Sequence, residues 1–271
     1  MSVLVIGAKG NVGGHVMAGL RSAGIPVRGS SRTAGSVGTP DDDAAMVRLD
    51  LDDPATLPAA LDGVEKVFLY ARPESIAAFV SAARTARVKH VVLLSSASVV
   101  DPATRHSVSS KRHATVEEAL RESGMAWTFL RPTTFANQYL RCVGAIRAGD
   151  VVRGPFLEVR IASIHERDIA DVAVRALTDA GHEGQAYWLT GPEALTQRRH
   201  IEVIGEVLGR HIEVVEVAPE DADPKPTEFY VRNMTELLTA RCVVTSAVEE
   251  TTGAPARSFR QWAEEHVEHF I

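Results

Sequence analysis

A glycine-spaced turn sits directly behind the first apolar run of this chain. Val3-Leu4-Val5-Ile6 passes without a break into Gly7-Ala8-Lys9-Gly10-Asn11-Val12-Gly13, and that turn opens a helical pattern over 12–24. A short, wholly apolar run reads as a strand buried on both faces, which requires a sheet covered by helices on both sides. Further runs at 25–28, 46–49, 66–70, 91–95 and 127–131 alternate with helical patterns at 54–62, 74–87 and 110–123. Such alternation with short linkers calls for right-handed crossovers, so the expected class is α/β, a doubly wound parallel sheet.

Past residue 131 the pattern is mixed. Helices are expected at 134–147, 166–180, 196–209, 228–240 and 258–270, and short strands at 159–164, 187–190 and 212–217. The stretches 33–43 and 101–107 read as polar loops, and Asp223-Pro224-Lys225-Pro226 as a turn or linker, because proline cannot continue a helix. The expected organisation is a sheet domain over 1–133, with 166–190 returning to it, and a smaller α/β domain from 134–165 and 191–271.

Composition narrows the partners. Of 271 residues, 45% are hydrophobic and 24% charged, the values of a chain that buries a core rather than of a disordered or fibrous one. A net charge of −6 leaves no basic footprint for nucleic acid or an anionic membrane surface. Cys142 and Cys242 stand too far apart for a metal-ligand spacing, and no metal site is expected. No uncharged run approaches the ~18 residues of a membrane span. No basic leader precedes Val3, so the expectation is a cytoplasmic protein acting on a small molecule, with a homodimer left open.

The turn has two readings, a structural strand–helix junction or a phosphate cradle. In the second, Gly7 makes the tight turn, Gly10 lets a pyrophosphate approach the backbone, and Gly13 lets the helix pack on the sheet. Lys9, Asn11 and Val12 complete the cradle at the positive end of the helix dipole. The context that the motif needs is present, which favours nucleotide binding. The choice of nucleotide lies after the second strand, where Val27-Arg28-Gly29-Ser30-Ser31-Arg32 offers no acid for a ribose 2′-hydroxyl before Asp41. Hydroxyls from Ser30 and Ser31 and a bidentate Arg32 suit a 2′-phosphate, so NADP(H) is expected. The plainer reading of Arg32 is a solvated loop charge. Asp50, at the end of the third strand, is expected to accept from an adenine amino group. Leu51, Tyr70, Ala71 and Pro132, also at strand ends, complete the expected cofactor contacts. Asp52 or Asp53 is expected to cap the helix that begins at Pro54. Arg72 is a weaker candidate for the phosphates.

The spacing G-x-x-G-x-x-G resembles the extended and atypical short-chain dehydrogenases/reductases. With it stand the acidic turn at 50–53, His113-x-x-x-Glu117, and Leu120-x-x-Ser123-Gly124-x-x-Trp127-Thr128-x-x-Arg131-Pro132. Phe135-x-Asn137, Arg167-Asp168-Ile169-Ala170, Leu189-Thr190-Gly191-Pro192, and Thr252-Gly253 with Phe259 follow. In this order they resemble the NmrA-like family across essentially the whole chain. The resemblance implies a Rossmann-type nucleotide-binding domain, a smaller C-terminal domain and a substrate cleft between them. It does not imply one chemistry: some members reduce quinones, enones or imines, while others bind NADP and act as sensors.

The usual catalytic pair, Y-x-x-x-K, is missing, since no tyrosine lies between Tyr70 and Tyr139. Ser95, Ser96 and Ser98 follow the fifth strand at the sheet edge, and Ser95 is a candidate both for catalysis and for holding the cofactor. His113 shares the inward face of its helix with Val116 and Leu120, at a place where many family members carry Lys or His. It is expected to hold the nicotinamide ribose or to pass a proton; the bland alternative is a satisfied core histidine. Thr133, Thr134, Phe135 and Asn137 are expected to border the substrate, although Phe135 equally reads as interdomain packing. Ser163-x-x-Glu166 fits a capping box, which makes Glu166 structural. The expected function is NADPH-dependent reduction of a small apolar carbonyl, quinone or conjugated compound. A non-catalytic NADP(H) sensor, or an isomerase or cyclase retaining the cofactor, are the alternatives.

Overall fold

The structure is a computed structural model that describes residues 2–33, 46–222 and 225–271. All but Thr33 of the expected loop at 33–43 and half of the expected turn at 223–226 therefore lie outside the described residues. Two compact units are present, one from 1–99, 108–132 and 166–188, the other from 100–107, 133–165 and 189–271.

The first unit opens with β1 (Val3–Val5), α1 (Asn11–Ser22), β2 (Val27–Ser31), β3 (Met46–Arg48) and the short α2 (Leu57–Leu61). It continues with β4 (Lys66–Tyr70), α3 (Ile76–Thr85), β5 (His90–Leu94), α4 (Val108–Glu122) and β6 (Ala126–Pro132). The second unit supplies α5 (Val143–Gly149), β7 (Val151–Gly154) and β8 (Arg160–Ile161), before the chain returns for α6 (Glu166–Thr178) and β9 (Gln185–Leu189). Then follow β10 (Leu195–Thr196), α7 (Gln197–Leu208), β11 (Glu213–Glu216), α8 (Glu228–Leu238), α9 (Ala247–Thr252) and α10 (Phe259–Glu265). Among the described residues, no helix is long and apolar enough to cross a membrane.

The central sheet is seven-stranded in the order β3-β2-β1-β4-β5-β6-β9. From β3 to β6 every pairing is parallel, with Val3 opposite both Val27 and Lys66. Leu4, Val67, Val91, Leu93 and Phe129 are fully or almost fully buried, as expected of strands covered on both faces. The expected end of β2 at residue 28 is corrected. Gly29, Ser30 and Ser31 stay in the strand and pair with Met46, Val47 and Arg48. Gly29 makes that possible, because a Cβ there would lie 2.5 Å from the Met46 sulfur and 2.7 Å from the Ala8 Cβ. The expected helix at 134–147 is instead a 3-10 segment, Ala136–Cys142, followed by α5. β7, β10 and α9 were not expected. α6 begins at Glu166, so that residue stands at the first helical position and not at the third, as a capping box from Ser163 requires.

A buried carboxylate ties the sheet to α4. Glu117 is fully buried beside Val116 and Leu120. Its Oε1 accepts from Ser95 Oγ at 2.7 Å and Arg131 Nε at 2.9 Å; its Oε2 accepts from an Arg131 terminal nitrogen at 2.6 Å and an Arg121 terminal nitrogen at 2.8 Å. Burial alone pushes this carboxyl up, but the hydrogen bonds from Arg131 and Ser95 and the two guanidinium charges outweigh it and hold Glu117 below the ordinary carboxylate range. The stabilisation that Glu117 gives is therefore complete above its unfolded value of about 4.3 and is lost as pH falls through its lower folded value. Glu117→Gln is expected to cost about 3–5 kcal/mol in urea unfolding at pH 7, because Arg131 is left with a buried and uncompensated charge. The gap between wild type and variant should begin to narrow below about pH 4.3 and close only as pH falls past the lower folded value. A variant as stable as wild type at pH 7 would contradict this account.

Candidate functional site

The site is built at the end of β1. Gly7 takes φ +78°, which an L side chain rarely adopts, and turns the chain out of the strand. Gly10 N–H then donates to the Gly7 carbonyl at 2.9 Å, and Gly14 N–H to the Gly10 carbonyl at 2.8 Å, which starts α1. A Cβ on Gly13 would lie 2.2 Å from the Gly7 oxygen. The glycine at 13 is thus required where the first helical turn closes on the backbone directly behind β1. The Tyr70 ring covers the turn from β4, 3.2 Å from where a Gly7 Cβ would be.

This helix start is left open. Gly10 is the N-cap, in extended conformation, and no side chain caps it; the first turn carries no acid. The N–H groups of Asn11, Val12 and Gly13 have no partner within the helix and sit at the positive end of its dipole. That arrangement fits a phosphate. Lys9 and Asn11 are exposed beside it, and Val12 is buried.

At the edge of β2 the expectations are partly corrected. Ser30 is buried within the strand at 3% exposure. The Ser31 hydroxyl donates to the Thr33 carbonyl at 3.1 Å and accepts from Thr33 N–H at 3.3 Å, so it is occupied by its own turn. Arg32 follows the last strand residue and is exposed. Asp50 Oδ1 accepts from Asp52 N–H at 3.1 Å, and Leu51 belongs to the core. Asp53 makes the expected cap, accepting from Ala55 N–H at 3.3 Å. Arg72 is not available to phosphates: its Nε donates to Asp52 Oδ1 at 3.1 Å, where Ser75 Oγ also donates at 3.0 Å. Those hydrogen bonds, with the nearby charges of Arg72 and Arg32, hold the Asp52 carboxyl below its ordinary range.

His113 is half-buried on α4, as placed by the apolar stripe. Its Nδ1 lies 2.9 Å from the Ser109 carbonyl, which only accepts, so Nδ1 carries a proton and Nε2 is the ring nitrogen outside that bond. The catalytic expectation for Ser95 is corrected, because its hydroxyl proton is held by buried Glu117 and Ser95 is 4% exposed. For Glu117 the sequence reading gives only a place in the His113-x-x-x-Glu117 signature and no role. The available signal was its spacing, since His113, Glu117 and Leu120 recur on one helical face and a glutamate on an inward stripe needs partners.

In the second unit, Thr133 N–H donates to the Leu189 carbonyl at 2.9 Å and its hydroxyl to the Ala162 carbonyl at 2.7 Å. Thr134 accepts from Ile164 N–H at 3.0 Å, and Phe135 bridges to Ile164. Phe135 and Asn137 are partly exposed. Tyr139 is no substitute for the missing catalytic tyrosine. It is fully buried, stacked on His200 at 4.5 Å and edge-on to Phe259 at 5.0 Å, and burial pushes its phenol far above the ordinary range. His200 is likewise core: burial takes it down to about 4, and Nδ1 bonds the Thr196 carbonyl at 2.8 Å.

Comparison with known proteins agrees with this geometry. Residues 7–180 match a family described as NAD(P)H-binding. The chain is 37% identical to a (4-alkanoyl-5-oxo-2,5-dihydrofuran-3-yl)methyl phosphate reductase of Streptomyces griseus, over 99% of each chain. It is 34% identical to an NAD(P)H azoreductase of Xenophilus azovorans, again over 99% of each. An NADPH-dependent quinone oxidoreductase of Escherichia coli, crystallised with NADPH, shares the fold with a TM-score of 0.82 at 22% identity, over 97% of this chain and 99% of that one. These matches bear out the resemblance read from the motifs, and the chain belongs to the NAD(P)H-binding family, as an NAD(P)H-dependent oxidoreductase.

Proposed function

We propose that this enzyme is an NADPH-preferring reductase of a small apolar carbonyl, quinone or conjugated compound. The observation that carries the reading is the uncapped, acid-free start of α1, reached through a turn in which Gly13 has room for no side chain. In this reading the backbone of Gly7 and Gly10 to Gly13, with Lys9, holds the pyrophosphate. Arg32, exposed directly after β2 with no acid in that strand, holds the 2′-phosphate. Asp50, Tyr70, Ala71 and Pro132 stand as further contacts for the nucleotide. Thr133, Thr134, Phe135 and Asn137 stand as substrate contacts, the first through its backbone and methyl group because its hydroxyl is taken.

Bound NADPH supplies a hydride, and the acceptor takes that hydride and one proton. His113 is the proposed proton carrier. Its Nδ1–H is anchored on the Ser109 carbonyl, which leaves Nε2 either to give the second proton of the imidazolium to the acceptor oxygen or, in the neutral ring, to accept from a ribose hydroxyl. An acceptor that is electrophilic enough needs no tyrosine. The two relatives above are named for unlike acceptors, a dihydrofuran phosphate and an azo compound, so the names share reduction and not one substrate.

Two variants divide these roles. Arg32→Ala is expected to weaken NADPH about tenfold to a hundredfold in an equilibrium titration, the worth of a charge-assisted hydrogen bond, and to leave NADH within about threefold. Equal losses for both nucleotides would remove Arg32 from the 2′-phosphate. His113→Ala is expected to lower kcat about a hundredfold, with the NADPH dissociation constant nearly unchanged. A weaker NADPH complex with unchanged kcat would make His113 a ribose anchor. Stereospecific transfer of label from deuterated NADPH to a quinone or enone tests the reaction; no transfer to any acceptor, with tight binding of both redox states, would favour the sensor.

A further inference from the structure

The second unit contains a cavity of about 400 Å³, within the range of small-molecule pockets. Its inner wall is apolar and buried, with Val152 at 6%, Leu157 at 3% and Ile201 at 2% exposure. Three cations, Arg141, Arg153 and Lys225, line the cavity and are exposed. They come from three separate places: the 3-10 segment before α5, β7, and the approach to α8.

Arg141 differs from its neighbours in what holds it. Arg198, Arg199 and Arg210 each meet a carboxylate, from Glu158, Glu202 with Glu206, and Asp150 respectively. Arg141 instead donates to the neutral amide oxygen of Gln197 at 2.6 Å, and lies over the Tyr139 and Tyr230 rings at 5.4 and 5.8 Å. Gln197 is 1% exposed, and the same oxygen accepts from the Tyr230 hydroxyl at 3.1 Å while its amide nitrogen donates to the Phe156 carbonyl at 2.9 Å. A buried amide thus orients a guanidinium and a tyrosine on one cavity wall without neutralising the guanidinium. Like charges lining one cavity raise the local potential, and a planar guanidinium matches a carboxylate or phosphate.

We propose that this cavity binds an amphiphilic anion, a small molecule with a carboxylate or phosphate on an apolar body. The acid group meets Arg141, Arg153 and Lys225, and the apolar body lies against Val152, Leu157 and Ile201. The site does not depend on nicotinamide chemistry.

Calorimetric titration of the full chain, with no nucleotide present, tests it. The probes are octanoate and octyl phosphate, with 1-octanol as the uncharged control. At least one anion is expected to bind about tenfold tighter than octanol, with affinity falling as salt rises. The arm that binds tighter identifies the acid group. The surface double variant Arg153→Gln/Lys225→Gln is expected to lose about tenfold for the anion. Ala145→Phe, which fills the cavity, is expected to abolish binding while its thermal midpoint shows that the fold survives. Ala145→Phe binding the anion as wild type does would assign it to the α1 start and overturn the proposal. So would octanol binding as tightly as the anions, or no heat from any probe. Because no nucleotide is used, failure here leaves the reductase reading standing, and failure of that reading leaves this one standing.

Discussion

The carbonyl oxygen of Gly7 occupies the space where a side chain at position 13 would begin. A Cβ there would be 2.2 Å away, less than any real contact allows, so the strand–helix turn closes only around a glycine. That closure sets the rest of the site. It brings the first turn of α1 directly onto the end of β1, where the N-cap is Gly10 and no side chain caps the helix. The first N–H groups of the helix then lack intrahelical partners and sit at the positive end of its dipole. β1 pairs with β2 on one side and β4 on the other, so the turn stands where the strand order reverses, the place at which open parallel sheets bind nucleotides. Tyr70 comes from β4 and Arg32 from just beyond β2, the two strands that flank β1.

A second constraint acts one step further along the sheet. Glu117 gathers Ser95 from the end of β5, Arg131 from β6 and Arg121 from its own helix around one buried carboxylate. Four donors satisfy it, which is the condition for a charge to be tolerated in a core. The consequence for function is positional. With α4 fixed at Glu117, His113 is held one turn earlier on the same face, and the same network removes Ser95 from acid–base work.

How far the sequence discloses this depends on the kind of signal. Strands buried on both faces announce themselves as apolar runs, and so β1, β4, β5 and β6 were legible to within a residue or two. β10 (Leu195–Thr196) and β7 (Val151–Gly154) are short and only half apolar, so no apolar run marks them. The end of β2 was misplaced because glycine and serine read as loop, whereas Gly29 is there to let Met46 and Ala8 approach. The segment at 136–142 has helical spacing and takes the tighter 3-10 form. Among site residues, backbone roles were legible and hydroxyl roles were not: a serine at a strand end looks available, and only the fold shows that Ser31 serves its own turn and Ser95 serves Glu117. The cations of the second unit lie 12 and 72 positions apart, at 141, 153 and 225, and no pattern in the sequence brings them together.

The central claim is that the α1 start is a nucleotide site which prefers the 2′-phosphorylated form. Equilibrium titration of the wild-type protein with NADPH, NADP⁺, NADH and NAD⁺ tests it most directly. The account predicts that the two phosphorylated nucleotides bind at least about tenfold tighter than their unphosphorylated partners, the worth of about 1.4 kcal/mol or more at the 2′-phosphate. Equal affinity for NADPH and NADH would contradict the Arg32 assignment, and no binding of any of the four would contradict the site itself.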